Sequence, residues 1–370
     1  MRYAVSSMTS YQFLNEINLI YNVLGTENNT FDLFYTDNAF LMDSSKIELL
    51  KQYNIFENMY KWEERLKNSP HKVVRGIGNV FELYIPPVFL SIATGKKIQS
   101  FIKSYDAIIF ASADGNGLEC LLCNIYKNAE LIAVEDGTGS YLGDIINREP
   151  IKCNPLWYSK RKKIIEAMRR PSSLWVNDKG SCKSTTADNI LQLPIWKNTS
   201  EKYRSMVRKI FFDEESTKHY RDHRIVYLEQ NDISEKEQQE VLGALSCYAE
   251  QCILRMHPWF RRDNLDCCFA TDDSSCMWEM ICEKYIRDDS VLVNVCSTSS
   301  ITPKIIFDRE PVIIYTYRMY NMSADGHQFG DFFVNMMRKR YNHPERIYAP
   351  RNIHELEDIL KAVAVNGIVE

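Results

Sequence analysis

The chain has 370 residues, 45% of them hydrophobic and 25% charged, with a formal net charge of −4. That length exceeds what one core usually serves and points to two domains, and the mild acidity offers no general electrostatic case for nucleic acid. Eleven cysteines, an odd number, do not make a secreted disulfide framework.

The N-terminus, MRYAVSSMTSYQFLNEINLI, has no long apolar stretch ending in a small-residue cleavage site, and no uninterrupted apolar run reaches bilayer length. A reducing cytosol is the expected compartment. In chain order, apolar runs of strand length alternate with helical patterns: YAVSS then FLNEINLIYNVL, FDLFYT, DAIIFAS then GLECLLCNIY, and ELIAV before an acidic turn. Such alternation predicts βα units and a parallel sheet. Cys120-x-x-Cys123 lies inside the helical run LECLLCNIY with no second matching pair, so both cysteines are expected in the core.

Between about residues 147 and 200 the rhythm pauses, punctuated by Pro150, Pro155, Pro171 and Pro194. It resumes with HRIVYLEQ, a helix from about Ser234 to Gln251, CILRMHP, a helix near Ser275 to Tyr285, VLVNVCSTSS, PKIIF and PVIIYTY; a final helix spans about Ile353 to Ala364. Two α/β domains are expected, 1–195 and 196–370, joined near QLPIWKN. Two basic segments, KRKKIIEAMRR (160–170) and MMRKRY (336–341), match either peripheral contact with an anionic membrane surface or a solvated helix face.

Three polar signals fall at the carboxyl ends of predicted strands, where open α/β sheets bind ligands. Glu135-Asp136-Gly137 follows ELIAV, His257-Pro258 follows CILRM, and Ser297-Thr298-Ser299-Ser300 follows VLVNV. Hydroxyls and backbone N–H groups at a helix start make a phosphate site. An imidazole held extended by the following proline can donate to phosphate oxygen. A carboxylate can take the proton of an acceptor hydroxyl. Together they suit transfer of a group from a nucleotide donor. Glu229 and Asp232, at the end of IVYLEQND, are alternative bases.

The order Glu-Asp-Gly, His-Pro and a serine/threonine run resembles the bacterial sialyltransferases. Length and the opening strand resemble most the glycosyltransferase family 52 group that acts on lipooligosaccharide and capsule. The resemblance implies a GT-B fold, two facing Rossmann-like domains with a central cleft. It also implies an inverting, metal-independent mechanism and CMP-sialic acid as donor to an oligosaccharide acceptor. By position, Asp136 or Glu135 would be the base, His257 would bind or protonate the CMP phosphate, and Ser297 to Ser300 would hold it. No cofactor is implied, and no Asp-x-Asp metal motif is present; one phosphate on the leaving group is neutralised by hydrogen-bond donors. The donor side falls to the second domain. The acceptor side, with loops SSMTSYQ (6–12) and SADGNG (112–117), falls to the first.

The expected location is cytoplasmic, peripheral on the inner membrane face, and a homodimer is left open. Competing readings are a GT-B transferase using CMP-Kdo or a UDP-hexose, and a non-catalytic nucleotide-binding scaffold. A serine hydrolase lacks its Gly-x-Ser-x-Gly elbow.

Overall fold

A computed structural model describes the chain except for residues 40–43, 63–70, 72, 74–77, 79, 83, 112–117, 142–154, 169, 184–186, 231–232, 258–266 and 366–370. It divides into two compact units. One comprises Met1–Pro194 with Asn198–Ile210, the other Ile195–Lys197 with Phe211–Glu370.

The first unit is a sheet of seven strands: β1 (Arg2–Thr9), β2 (Thr30–Ala39), β3 (Asn58–Lys61), β4 (Ala107–Phe110), β5 (Glu130–Val134), β6 (Ser173–Val176) and β7 (Asn189–Gln192). Their order is β3-β2-β1-β4-β5-β6-β7, and every pairing is parallel. Central strands of a parallel sheet are covered on both sides and read as continuous apolar runs. Accordingly all four residues of β4, AIIF, are buried. Reversal of strand order between β1 and β4 creates the topological switch point at their carboxyl ends.

Strands β6 and β7 occupy the stretch in which the hydrophobic rhythm pauses. Each is four residues long, and β7, at the sheet edge, buries none of its residues fully. A short edge strand carries too little apolar signal to announce itself. The helix Pro155–Met168 supplies the crossover between β5 and β6. Its Ile165 and Met168 belong to the core of this unit, with Ile164 packed beside them, while Lys162 and Lys163 are exposed. The apolar side of segment 160–170 is therefore spent inside the protein. Cys120 and Cys123 lie in the same core.

The second unit has six parallel strands: β8 (Ile225–Leu228), β9 (Cys252–Arg255), β10 (Ala270–Asp272), β11 (Val291–Asn294), β12 (Val312–Tyr315) and β13 (Ile347–Tyr348). The order β10-β9-β8-β11-β12-β13 puts its switch point between β8 and β11. The run PKIIF is helical, being the end of the helix Thr298–Phe307. The helix predicted over 234–251 stops at Ser246, and a separate 3₁₀ turn, Ala249–Gln251, leads into β9. Its start follows the sequence closely, because Ser234 and Glu237 form a capping box. In MMRKRY, Met336, Met337 and Tyr341 are buried.

Candidate functional site

In the first unit, the chain leaves β5 at Val134 and turns. Alternation of side chains at the strand end sends the two acids to different environments. Glu135 is fully buried. Its carboxylate accepts from the hydroxyls of Tyr11 and Tyr141, the latter at 2.6 Å, and from the backbone N–H of Asn177 at 2.7 Å. Burial keeps its pKa above the ordinary glutamate value against the pull of those donors. Glu135 thereby ties together the helix after β1, the turn after β5 and the residue after β6.

Asp136 is exposed. Gln12 donates its side-chain N–H to the Asp136 carboxylate at 2.5 Å, and the Asp136 backbone N–H donates to Ser140 Oγ at 2.9 Å. Gly137 follows with φ of 99°, a conformation that any Cβ would strain. Gln12 is fixed in its own right. It closes the capping box of the helix Ser10–Leu19 with Thr9, and its Oε1 also accepts from the Met8 N–H at 2.8 Å. The Gln12 amide orients the exposed carboxylate.

One helical turn beyond Gln12, Glu16 is buried without exposure. Burial, opposed by the Ser7 hydroxyl and reinforced by the charges of Glu119 and Asp136, holds its pKa well above the ordinary value. Residues 6–12 of the sequence thus supply Tyr11 and Gln12 to the acidic turn, whereas segment 112–117 lies outside the described residues.

In the second unit, Glu229 leaves β8 buried, and its Oε2 accepts from the backbone N–H of His257 at 2.7 Å. This bond joins the carboxyl ends of neighbouring strands β8 and β9 and fixes where the half-buried His257 begins its loop. Across the switch point, Gln230 Oε1 accepts from the Cys296 N–H and Asn294 Oδ1 accepts from the Ser297 N–H, both at 2.7 Å. Two side-chain amides thereby hold consecutive backbone donors of the loop that opens the next helix.

Ser297 is the N-cap of that helix, accepting from the Ser299 N–H at 3.2 Å. Ser300 is buried, and its hydroxyl bonds the Ser297 carbonyl at 2.6 Å and the Tyr315 hydroxyl at 3.2 Å. Ser297, Thr298 and Ser299 are half-buried. The hydroxyl-rich run therefore has two parts, an accessible Ser297–Ser299 turn at a helix N-terminus and a Ser300 anchor beneath it. A helix start with its N–H groups forward attracts anions through partial positive charge. Pro258 and Asp232 lie outside the described residues.

Among the described residues no cluster of histidine, cysteine, aspartate and glutamate is arranged to hold a metal ion. Tyr11, Gln12, Asn15, Asn177, Gln230 and Asn294 were not singled out from the sequence. Only Gln12 carried a local signal, the Thr-x-x-Gln of a capping box. Asn294 bonds the Ser297 N–H three residues ahead, and Tyr11, Asn15, Asn177 and Gln230 act across more than forty residues of chain, which no local pattern reveals.

No family model matches the chain, and no curated protein matches it. Solved structures do. Arabidopsis thaliana UGT89C1 complexed with UDP is 11% identical with a TM-score of 0.54, over 100% of this chain and 90% of that one. LpCGTa in complex with UDP is 8% identical with a TM-score of 0.52, over 99% of this chain and 90% of that one. Phytolacca americana UGT2 complexed with UDP-2fluoro-glucose and pterostilbene is 8% identical with a TM-score of 0.50, over 99% and 90% respectively. At such identities the likeness establishes the fold, which is GT-B.

Proposed function

We propose that the protein is an inverting glycosyltransferase that moves a sugar from a nucleotide donor to a hydroxyl of a glycan acceptor. The observation that carries this reading is Asp136, an exposed carboxylate at the end of a parallel strand, aligned by Gln12 on a turn that Glu135 anchors. Asp136 accepts the acceptor hydroxyl proton as the oxygen attacks the anomeric carbon. The bond from that carbon to the nucleotide phosphate breaks, and the Ser297–Ser299 helix start and His257 are the groups of the second unit suited to take up phosphate charge. The acceptor is a cell-surface glycan of lipooligosaccharide or capsule type, elongated on the cytoplasmic side.

For the donor, two observations favour different sugars. The solved neighbours carry UDP or a UDP-sugar analogue, which favours a UDP-hexose. The order of acidic pair, His-Pro and serine run favours CMP-sialic acid. Thermal denaturation with CMP, UDP and GDP separates them, because a ligand at a hundred times its Kd adds about 2.7 kcal/mol to the folded state. Stabilisation by UDP alone selects the hexose, stabilisation by CMP alone selects a CMP-sugar such as CMP-sialic acid, and silence from all three removes both donors.

A further inference from the structure

Large apolar side chains scattered singly over a surface are ordinary, but contiguous ones mark contact sites. Among the described residues nine such side chains are exposed, and six of them, Val73, Val80, Tyr84, Ile85, Ile92 and Ile102, fall within thirty residues of one another. Ile102 keeps 72% of its surface exposed at the end of a 3₁₀ turn. The helix Pro86–Thr94 has the reason for its apolarity on the other side. Its Phe89, Leu90 and Ala93 fill the core of the first unit, so Ile92 is surplus to packing.

Charge accompanies the same stretch. Between Glu82 and Asp106 the sequence contains no acid and three lysines, Lys96, Lys97 and Lys103. All three are exposed. Lys103 stands 3.9 Å from Glu57, a loose exposed pair, and Lys96 and Lys97 follow Ile92 directly after the left-handed Gly95 that ends the helix. Isoleucines interleaved with lysines in a segment without acids of its own match a layer that is apolar below and anionic above, since apolar side chains enter the acyl boundary while ammonium groups meet phosphates.

We propose that the segment Tyr84–Lys103 is a docking surface for an anionic lipid bilayer, with Ile92 and Ile102 inserting and Lys96 and Lys97 binding headgroup phosphates. This attachment differs from the one expected at 160–170, whose apolar residues are in the core. It does not depend on which sugar is transferred, or on transfer at all, so its test and that of the reaction are separate.

The test is co-sedimentation of the full chain with vesicles of phosphatidylcholine alone or with about 30% phosphatidylglycerol, at about 0.1 M and 0.5 M salt. The wild type is expected to partition at least about tenfold better onto the anionic vesicles, and to lose most of that advantage at high salt. Lys96→Glu with Lys97→Glu should lower binding by about 25-fold or more, at about fivefold per lysine. Ile92→Asn with Ile102→Asn should lower it by about tenfold. Both pairs are exposed and should leave thermal stability and nucleotide binding unchanged. Equal binding to both vesicle types overturns the proposal, as does retention of full binding by both variants. A wild type that ignores vesicles but self-associates, with both variants monomeric, assigns the surface to a second copy of this chain instead.

Discussion

The Tyr141 hydroxyl donates to the Glu135 carboxylate at 2.6 Å, and both groups are fully buried six residues apart in one turn. The bond closes the acidic turn on itself, and the N–H of Asn177 adds a tie to the neighbouring strand. It leaves the adjacent Asp136 as the acid of this turn that reaches solvent. The two acids are thereby separated: Glu135 shapes the turn, and Asp136 is the one assigned as base in the proposed reaction.

That division separates two variants. Glu135→Gln replaces an acceptor of three donors by a group that presents its own N–H bonds to them. Stability should fall by about 2 to 4 kcal/mol, with Tyr141→Phe losing about 1.5 to 3 kcal/mol as its hydroxyl's bonds to Glu135 and from the Asp178 N–H both go. Urea denaturation of the three proteins checks this. Equal midpoints for wild type and Glu135→Gln would show that the carboxylate is not an anchor.

Asp136→Asn keeps size and the contact to Gln12 but removes the proton affinity. We expect kcat to fall about 10²-fold or more, with nucleotide affinity and melting temperature unchanged. Gln12→Ala should cost less in rate, about tenfold, because the carboxylate remains and only its orientation is freed. A rate for Asp136→Asn within threefold of wild type would be incompatible with its role as base.

Much of this arrangement was legible in the sequence because it follows from period and punctuation. The central strands announce themselves as continuous apolar runs, and the polar signals at 135–137, 257 and 297–300 all fall at strand ends where a parallel sheet places ligands. The short strands β6, β7, β10 and β13, all but β6 at sheet edges, were not legible, since two to four half-covered residues carry no periodicity. Nor was the choice between Glu135 and Asp136, which depends on partners as distant in sequence as Tyr11 and Asn177. The serine run divided for a similar reason: Ser300 points to Tyr315 on the next strand, a neighbour set by sheet order.

Glu229 offers a second separation. Its Oε2 accepts from the His257 backbone N–H, and an amide oxygen can do the same. Glu229→Gln should keep activity within about threefold, whereas Glu229→Ala leaves that buried N–H without its acceptor and should cost about 1 to 3 kcal/mol and much of the rate. His257→Ala should lose about 10²-fold in kcat. Inactive Glu229→Gln beside active Asp136→Asn would move the base to the second unit.

For the serine run, Ser300→Ala should lower stability by about 1 kcal/mol through its lost bonds to the Ser297 carbonyl and Tyr315, with donor KM unchanged. Ser297→Ala removes the helix cap and the forward hydroxyl together, costing about 1 kcal/mol of stability and raising donor KM severalfold. Steady-state kinetics with the donor identified by thermal shift distinguishes the two. A raised donor KM for Ser300→Ala alone would reverse the assignment of anchor and contact.

The last expectation concerns Glu279, in the first turn of the helix Trp278–Tyr285. Burial pushes its carboxyl from 4.5 up to about 7, opposed only in part by its hydrogen bond to backbone and by the charge of Arg255. Because the folded pKa lies above the unfolded one, the folded protein holds the extra proton between those values. The stability linked to this group is therefore fully present below about pH 4.5 and is lost as pH rises to 7, where ionisation inside the unit is forced. The loss approaches about 3 kcal/mol at most, at 1.36 kcal/mol per unit of pKa. Other groups slope the opposite way, since Asp272 and Glu310 have lowered pKa values and weaken the fold in acid. The difference between wild type and Glu279→Gln cancels those contributions. Gln at 279 mimics the protonated acid, so the two proteins should denature at similar urea concentrations near pH 5. The variant should become the more stable of the two by pH 8. A difference that stays constant from pH 5 to 8 would mean that Glu279 does not titrate in that range, and that its environment is better solvated than its burial implies.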